Sequence, residues 1–167
     1  MQHEQVHPEP PRPDLAVTRL ADATRADELL ALAHDAFRDL PIDPPSSVLK
    51  ETAGDFAARL NSDTCLVVES GGRLIGAVFC TPEADALYIG RLAVHPDWRR
   101  RGIANALIEA AKAEARRIGA ARMTLGCRIA LAGNLALFRR HGFAVVRETC
   151  HEGFTTPTSY DMELRLS

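Results

Sequence analysis

Residues 87–104 read Leu-Tyr-Ile-Gly-Arg-Leu-Ala-Val-His-Pro-Asp-Trp-Arg-Arg-Arg-Gly-Ile-Ala. An apolar, strand-like run ends at Val94, and Pro96 breaks it because proline has no N–H to give to a ladder. Three arginines follow (Arg99, Arg100 and Arg101), then Gly102, a small Ala104 and an alanine-rich helical pattern from Asn105. The first N–H groups of a helix have no intrahelical acceptor, and the helix dipole puts partial positive charge on them. A basic, glycine-containing turn at such a place receives an anion, a phosphate above all. Gly102 and Ala104 keep side-chain bulk away from the approach.

Outward from this stretch the chain alternates between short strands and helices. Residues 15–20 read as a first strand. Residues 24–38 place Leu29, Leu30, Ala33 and Phe37 at helical spacing. Pro41, Pro44 and Pro45 make 39–47 a loop. Ser46 or Ser47 is then placed to cap a second helix with Val48, Leu49, Phe56 and Leu60 on its apolar side, weakened at Gly54 by about 1 kcal/mol relative to alanine. Strands over 64–69 and 73–80 are joined by Ser70-Gly71-Gly72, a hairpin signal. A further strand covers 86–94. The helix after Gly102 keeps Ile103, Leu107, Ala111, Ala115 and Ile118 on one stripe and stops at Gly119. A strand over 122–127, a short helix over 134–140 ended by Gly142, and strands over 143–150 and 159–166 complete the pattern. The predicted order is β-α-α-β-β-β-α-β-α-β-β, an α/β (α+β) fold on a mixed sheet. Strands 86–94 and 122–127 run parallel in it, because a helix connects them.

A chain of 167 residues suits one domain, expected over 14–167, with the proline-rich residues 1–13 as a disordered tail. The net charge of −2 argues against a nucleic-acid or membrane-surface partner, and the arginines at 116, 117, 122, 128, 139 and 140 lack interleaved aromatics. No apolar run reaches membrane-spanning length, and the first residues lack a signal peptide's basic and apolar regions, so a cytoplasmic location is expected. Cys65, Cys80, Cys127 and Cys150 all fall in predicted strands with no C-x-x-C spacing, which reads as buried, reduced thiols and no metal site.

The quoted stretch resembles the cofactor motif of the GNAT family of N-acetyltransferases: Arg or Gln, two residues, Gly, one residue, Gly or Ala. Those positions are Arg99, Gly102 and Ala104. The Leu-Ala-Val-His-Pro run before the motif looks like the family, as does the helix after it. Phe138 with Gly142-Phe143 resembles the family's second signature, so the likeness covers about residues 15–166. It implies an acyl-CoA N-acyltransferase fold whose two central strands splay apart, with the pantetheine arm of acetyl-CoA in the gap. The implied acetyl-CoA site comprises Leu92, Ala93 and Val94, with the backbones of Leu92 and Val94 pairing with pantetheine. It continues through Arg99, Arg100 and Arg101 to Gly102, Ile103, Ala104 and Asn105 at the pyrophosphate. Asn134 and Phe138 lie beside it. Leu131 stands where the family usually has its asparagine, so Asn134 either touches the cofactor or caps the short helix.

Two departures concern catalysis. Many members have a tyrosine at the place of Phe138, which has no proton to give. Some carry a glutamate base at the place of Gly90. Tyr88, His151 and Tyr160 are therefore the candidate acids and bases, with Glu83 and Asp85 also near the expected acceptor end. Histidine suits a base because its ordinary pKa is about 6.5. Loops 39–47 and 151–158 should frame the acceptor pocket, where Asp39, Asp43 and Glu152 could draw a cationic amine. Cys127 has no histidine partner in local sequence for an acyl-enzyme route. The resemblance implies direct acetyl transfer to a primary amine of a small molecule or peptide, with the oxyanion met by the Val94 N–H. The losses at Phe138 and Gly90 keep open a non-catalytic acyl-CoA-binding or sensing domain. A homodimer, common in the family, is a further expectation.

Overall fold

The computed structural model describes residues 15–167; the tail expected over 1–13 lies outside the described residues. Eleven elements follow the predicted order: β1 (Val17–Leu20), α1 (Ala26–Phe37), α2 (Ala53–Ser62), β2 (Thr64–Ser70), β3 (Arg73–Glu83), β4 (Ala86–Val94), α3 (Ile103–Arg117), β5 (Arg122–Arg128), α4 (Ala132–Arg140), β6 (Ala144–Thr149) and β7 (Ser159–Arg165). They build one seven-stranded sheet in the order β1-β2-β3-β4-β5-β7-β6. Only the β4–β5 pair is parallel; every other neighbouring pair is antiparallel.

Alternation along the strands supplies two cores, one on each face. Cys65, Val67, Leu74, Ala77, Phe79 and Ala93 pack with buried residues of α1 and α2. On the other face Val68, Ile75, Val78, Leu87, Ile89 and Met123 pack with the inner stripe of α3 and with Phe138. The β2–β3 hairpin turns on Gly71 and Gly72, both at positive φ (57° and 79°), as a two-residue turn with primed geometry requires. At the end of α3, Gly119 takes φ 73°; its N–H donates to Arg116 O (3.1 Å) and that of Ala120 to Ala115 O (2.9 Å). This pair of bonds is a Schellman stop.

Three local expectations need correction. The second helix does not start at Ser46 or Ser47. Ser46 caps a single 3₁₀ turn over Ser47–Lys50, and α2 starts after Thr52, whose side chain and that of Asp55 form a reciprocal capping box. Ile118 is the residue after α3 rather than part of its buried stripe, and it is exposed. Cys65, Cys80 and Cys127 are buried thiols, but Cys150 lies just past β6 and is exposed.

Candidate active site

The parallel pair β4–β5 is bonded only at its start. Ala86 faces Arg122, Leu87 faces Met123 and Tyr88 faces Thr124, and there the ladder ends. Beyond it β4 stays paired to β3 as far as Val94, and β5 stays paired to β7 as far as Arg128. The facing edges of β4 and β5 therefore run on without a strand between them. A backbone edge left this way must find other partners.

The direction of the groups on the β4 edge follows from the register. His95 donates its N–H to Ile75 O on β3 (2.8 Å). Backbone groups alternate sides along a strand, so the N–H and C=O of Val94 and Leu92 point the other way, into the gap. Ala93 shares the parity of His95 and buries its side chain under α1 and α2. Between Gly90 and Ala93 the strand carries a bulge against β3, and Arg91 takes φ 52°, an uncommon conformation for a residue with a side chain. Arg91 Nε donates to Glu51 Oε1 (2.7 Å) and its Nη2 to the same oxygen. The second oxygen, Glu51 Oε2, is buried without a hydrogen bond, with Arg59 Nε 3.4 Å away.

The gap opens into a cavity of about 500 Å³ that reaches the start of α3. The turn before α3 holds two left-handed residues, Arg100 at φ 63° and Gly102 at φ 81°. Gly102 is the N-cap residue and offers no side chain, and the first helical bond is Ala106 N–H to Gly102 O (3.0 Å). Ile103, Ala104 and Asn105 thus present N–H groups that no acceptor caps among the described residues, and all three line the cavity. Close seating of this helix start depends on Gly76. A Cβ there would lie 2.5 Å from Ile103 Cγ2 and 3.2 Å from Leu107 Cδ1.

Of the residues expected at the cofactor, Leu92, Val94, Arg99, Arg100, Asn134 and Phe138 line the same cavity, as does Gly102. Two others are directed elsewhere: Ala93 into the core, and Arg101 over the Trp98 ring, its guanidinium 4.9 Å from the centroid. Arg99 also ties the turn to α1, donating from Nη2 to Ala36 O (3.0 Å). Asn134 is the third residue of α4, not its cap, which is Leu131. Asn105 meets His141, the residue after α4, at 2.8 Å between Oδ1 and Nε2. Burial, with Lys112 nearby, pushes the His141 pKa down. Its Nδ1 lies 3.1 Å from Glu109 Oε1 and 3.3 Å from Lys112 Nζ, and the Glu109 charge works against the downward shift.

None of the three proposed acid–base residues lines the cavity itself. Tyr88 adjoins Gly90, which does. Its ring occupies the space that a side chain at 90 would need: a Cβ at Gly90 would lie 2.9 Å from Tyr88 Cε1. His151 sits in the β6–β7 connection, where its Nδ1 and its backbone N–H both meet Thr158 Oγ1. Burial, then the Arg128 charge, pushes its pKa down. Tyr160 faces Cys127 in the β5–β7 register and packs against the core. Glu83 and Asp85 lie at the other end of β4, where Asp85 pairs with Arg122 at 3.3 Å. Cys127 does line the cavity, but burial pushes its thiol up to about 11, so it is protonated and a poor nucleophile near neutrality.

The far wall includes Leu40, in the loop 39–47 expected to frame the pocket, but sequence reasoning missed Ala36, Phe37 and Arg128. Ala36, Phe37 and Leu40 line it from α1 and the loop that follows, and Arg128 lines it from the end of β5. Arg128 Nη2 donates to Pro44 O (2.6 Å), and Ile129 N–H donates to Thr158 O (3.0 Å). Both expected framing loops are thus pinned to the end of β5. Arg91, Arg99, Arg100, Arg128 and Arg140 line the cavity, and no aspartate or glutamate among the described residues does. No helix of the described residues is long and apolar enough to cross a membrane, and no group of three or more His, Cys, Asp or Glu among them could hold a metal ion.

Comparison with known proteins agrees with this geometry. The PaiA N-acetyltransferase of Thermoplasma acidophilum, solved with coenzyme A, aligns with a TM-score of 0.76 at 13% identity over 90% of this chain and 99% of that one. The ribosomal-protein-S18-alanine N-acetyltransferase of Escherichia coli gives 0.73 at 20% identity, covering 91% and 94%. The yncA protein of Salmonella typhimurium, solved with its cofactor acetyl-CoA, gives 0.71 at 19% identity, covering 91% and 94%. No curated protein matches the chain significantly in sequence. The profile of the Acetyltransferase (GNAT) family matches residues 26–143, most of the chain and all of the gap between β4 and β5, and the protein is a member of that family of N-acetyltransferases.

Proposed function

We propose that the protein transfers an acetyl group from acetyl-CoA directly to a primary amine, with both substrates bound together. The observation that carries this reading is the unpaired edge of β4 running into the uncapped start of α3. An amide-bearing arm lying in the gap satisfies the inward-facing groups of Leu92 and Val94. A pyrophosphate at its end meets the N–H groups of Ile103, Ala104 and Asn105, with Arg99 and Arg100 beside it. Structural relatives solved with coenzyme A and with acetyl-CoA support the same co-substrate.

In the reaction the lone pair of a neutral amine forms a C–N bond to the thioester carbonyl carbon. The carbonyl oxygen takes the negative charge and faces the Val94 N–H. The C–S bond then breaks, the sulfur leaves as thiolate, and the amine proton passes to water. A thiol with a pKa of about 8.5 leaves without an acid, consistent with phenylalanine at 138. The raised Cys127 pKa speaks against an acyl-enzyme. No observation favours a non-catalytic sensor over this reading.

Two measurements on the same protein test it. Acetyl-CoA titrated calorimetrically should bind, and a panel of amines should release free thiol. Absence of binding overturns the site, and binding without turnover of any amine overturns the enzymatic reading.

A further inference from the structure

Resting on the acetyl-transfer reading, the second mouth of the gap carries information about the acceptor. Along β5, Met123, Leu125 and Cys127 belong to the core under α3. Alternation puts Thr124, Gly126 and Arg128 on the opposite face, toward α1 and α2. Gly90 shares that face, because it lies opposite Phe79 of the α1–α2 core. The wall here is apolar, made of Ala36, Phe37 and Leu40.

Three guanidiniums reach this mouth: Arg99 is tied to the Ala36 carbonyl, and Arg91 and Arg128 are in different states. Arg91 is charge-paired with Glu51, which takes two of its donors. Arg128 gives one N–H to the Pro44 carbonyl, and among the described residues it takes part in no ion pair. Burial pulls its pKa down, and the Asp43 charge opposes that. A guanidinium carries five donors, so Arg128 keeps donors to spare for a planar anion. Among the described residues no acidic side chain lines the cavity to receive a second ammonium group.

We infer that the acceptor is a small amino carboxylate with an apolar side chain, its carboxylate received by Arg128 and its side chain by Phe37 and Leu40. Its amine attacks in the neutral form and loses its proton to water. A polyamine or aminoglycoside would bring surplus positive charge to an arginine-lined cavity with no carboxylate in its lining among the described residues.

The test pairs substrates that differ by the carboxylate, with rates compared per neutral amine because the carboxylate also lowers the amine's basicity. Leucine is compared with isoamylamine, and phenylalanine with phenethylamine, with spermidine as the polycation. Thiol release should favour the amino acid of at least one pair by about tenfold or more in kcat/KM, the size of one charge-assisted hydrogen bond. In Arg128→Met the amino-acid KM should rise about tenfold, with kcat and the KM of the plain amine nearly unchanged. Arg128→Lys should recover part of the loss, which separates the charge from any loosening of the Pro44 contact. Calorimetric binding of the N-acetyl amino acid to the coenzyme A complex should weaken in Arg128→Met, while coenzyme A itself binds as before. Equal turnover within both pairs, or preferred turnover of spermidine, overturns the inference. Failure of the wild-type protein to bind acetyl-CoA instead overturns the reading on which it rests.

Discussion

The two mouths of the β4–β5 gap are built from different materials. Toward α3 the lining is mostly main chain: the inward edge of β4 and the first N–H groups of a helix capped by a glycine. Toward α1 and α2 it is side chain: an apolar wall and the Arg128 guanidinium. A main-chain site tolerates exchange of most side chains but fails when a Cβ or a charge enters, or when the helix start moves. A side-chain site behaves in the opposite way, since each group can be removed singly without disturbing the backbone. Variants should therefore separate the two mouths cleanly, and the expected effects fall in size from the first to the second.

The largest effect is expected at Gly102. Gly102→Glu sets a negative charge on the helix start where an anion is held, and acetyl-CoA affinity should fall more than about 100-fold by calorimetry. Gly102→Ala is the control, because it keeps the left-handed φ of 81° at a cost of about 1–2 kcal/mol but adds no charge. Unchanged affinity in Gly102→Glu would break the comparison at its stronger end.

Next comes Gly76, which touches neither substrate in this reading. Gly76→Val drives a side chain into Ile103 and Leu107 and should destabilise the fold by about 1–3 kcal/mol in a urea melt. The first turn of α3 must shift to make room, so acetyl-CoA affinity should drop as well. A variant that is destabilised yet binds acetyl-CoA normally would show that the helix start is held by the turn alone.

A smaller effect comes from two histidines, one near each mouth. His141 joins Asn105 to the end of α4, and His151 joins the β6–β7 connection to Thr158. Burial lowers both pKa values in the folded protein. Below the ordinary value of about 6.5 the unfolded chain takes up protons that the folded chain resists. Their contribution to stability is therefore full above that pH and is lost as pH falls through it, down to the folded values. The melting temperature should drop by a few degrees from pH 7.5 to 5.5. His141→Asn and His151→Asn should each flatten part of that slope; an unchanged slope in both would remove the histidines as its cause.

The same division explains what could be read from the chain alone. The α3 mouth is written in contiguous residues, 92–105, and its chemistry needs only a strand, a glycine and a helix start. The other mouth is assembled from residues far apart in sequence: Arg128 and Pro44 are 84 positions apart, Arg91 and Glu51 40, and Arg99 and Ala36 63. No periodicity reports such contacts. The diversion of Arg101 onto Trp98 was hidden too, because three consecutive arginines look alike until the turn assigns each a direction. By contrast, the true start of α2 was available in Thr52 and Asp55, a capping-box spacing that outweighs a lone serine upstream.

The smallest effect is expected at Phe138, which belongs to both descriptions. It is buried, packs edge-on to Phe143 with ring centroids 6.1 Å apart, and still lines the cavity. Phe138→Tyr restores the hydroxyl that many members of the family carry. If thiolate departure limited the rate and nothing protonated the sulfur, a new acid there would raise thiol release by as much as about 100-fold. A coenzyme thiolate is already a good leaving group near neutrality, and a cavity of about 500 Å³ admits water. The expected outcome is therefore a rate within about threefold of the parent at saturating acetyl-CoA across pH 6 to 10, that is, less than about 1 kcal/mol on the barrier. A large gain would show that the main-chain mouth lacks an acid the reaction needs. A loss of both binding and rate would show that the ring's apolar packing against Phe143 shapes the gap, because a buried hydroxyl without a partner costs about 1–3 kcal/mol.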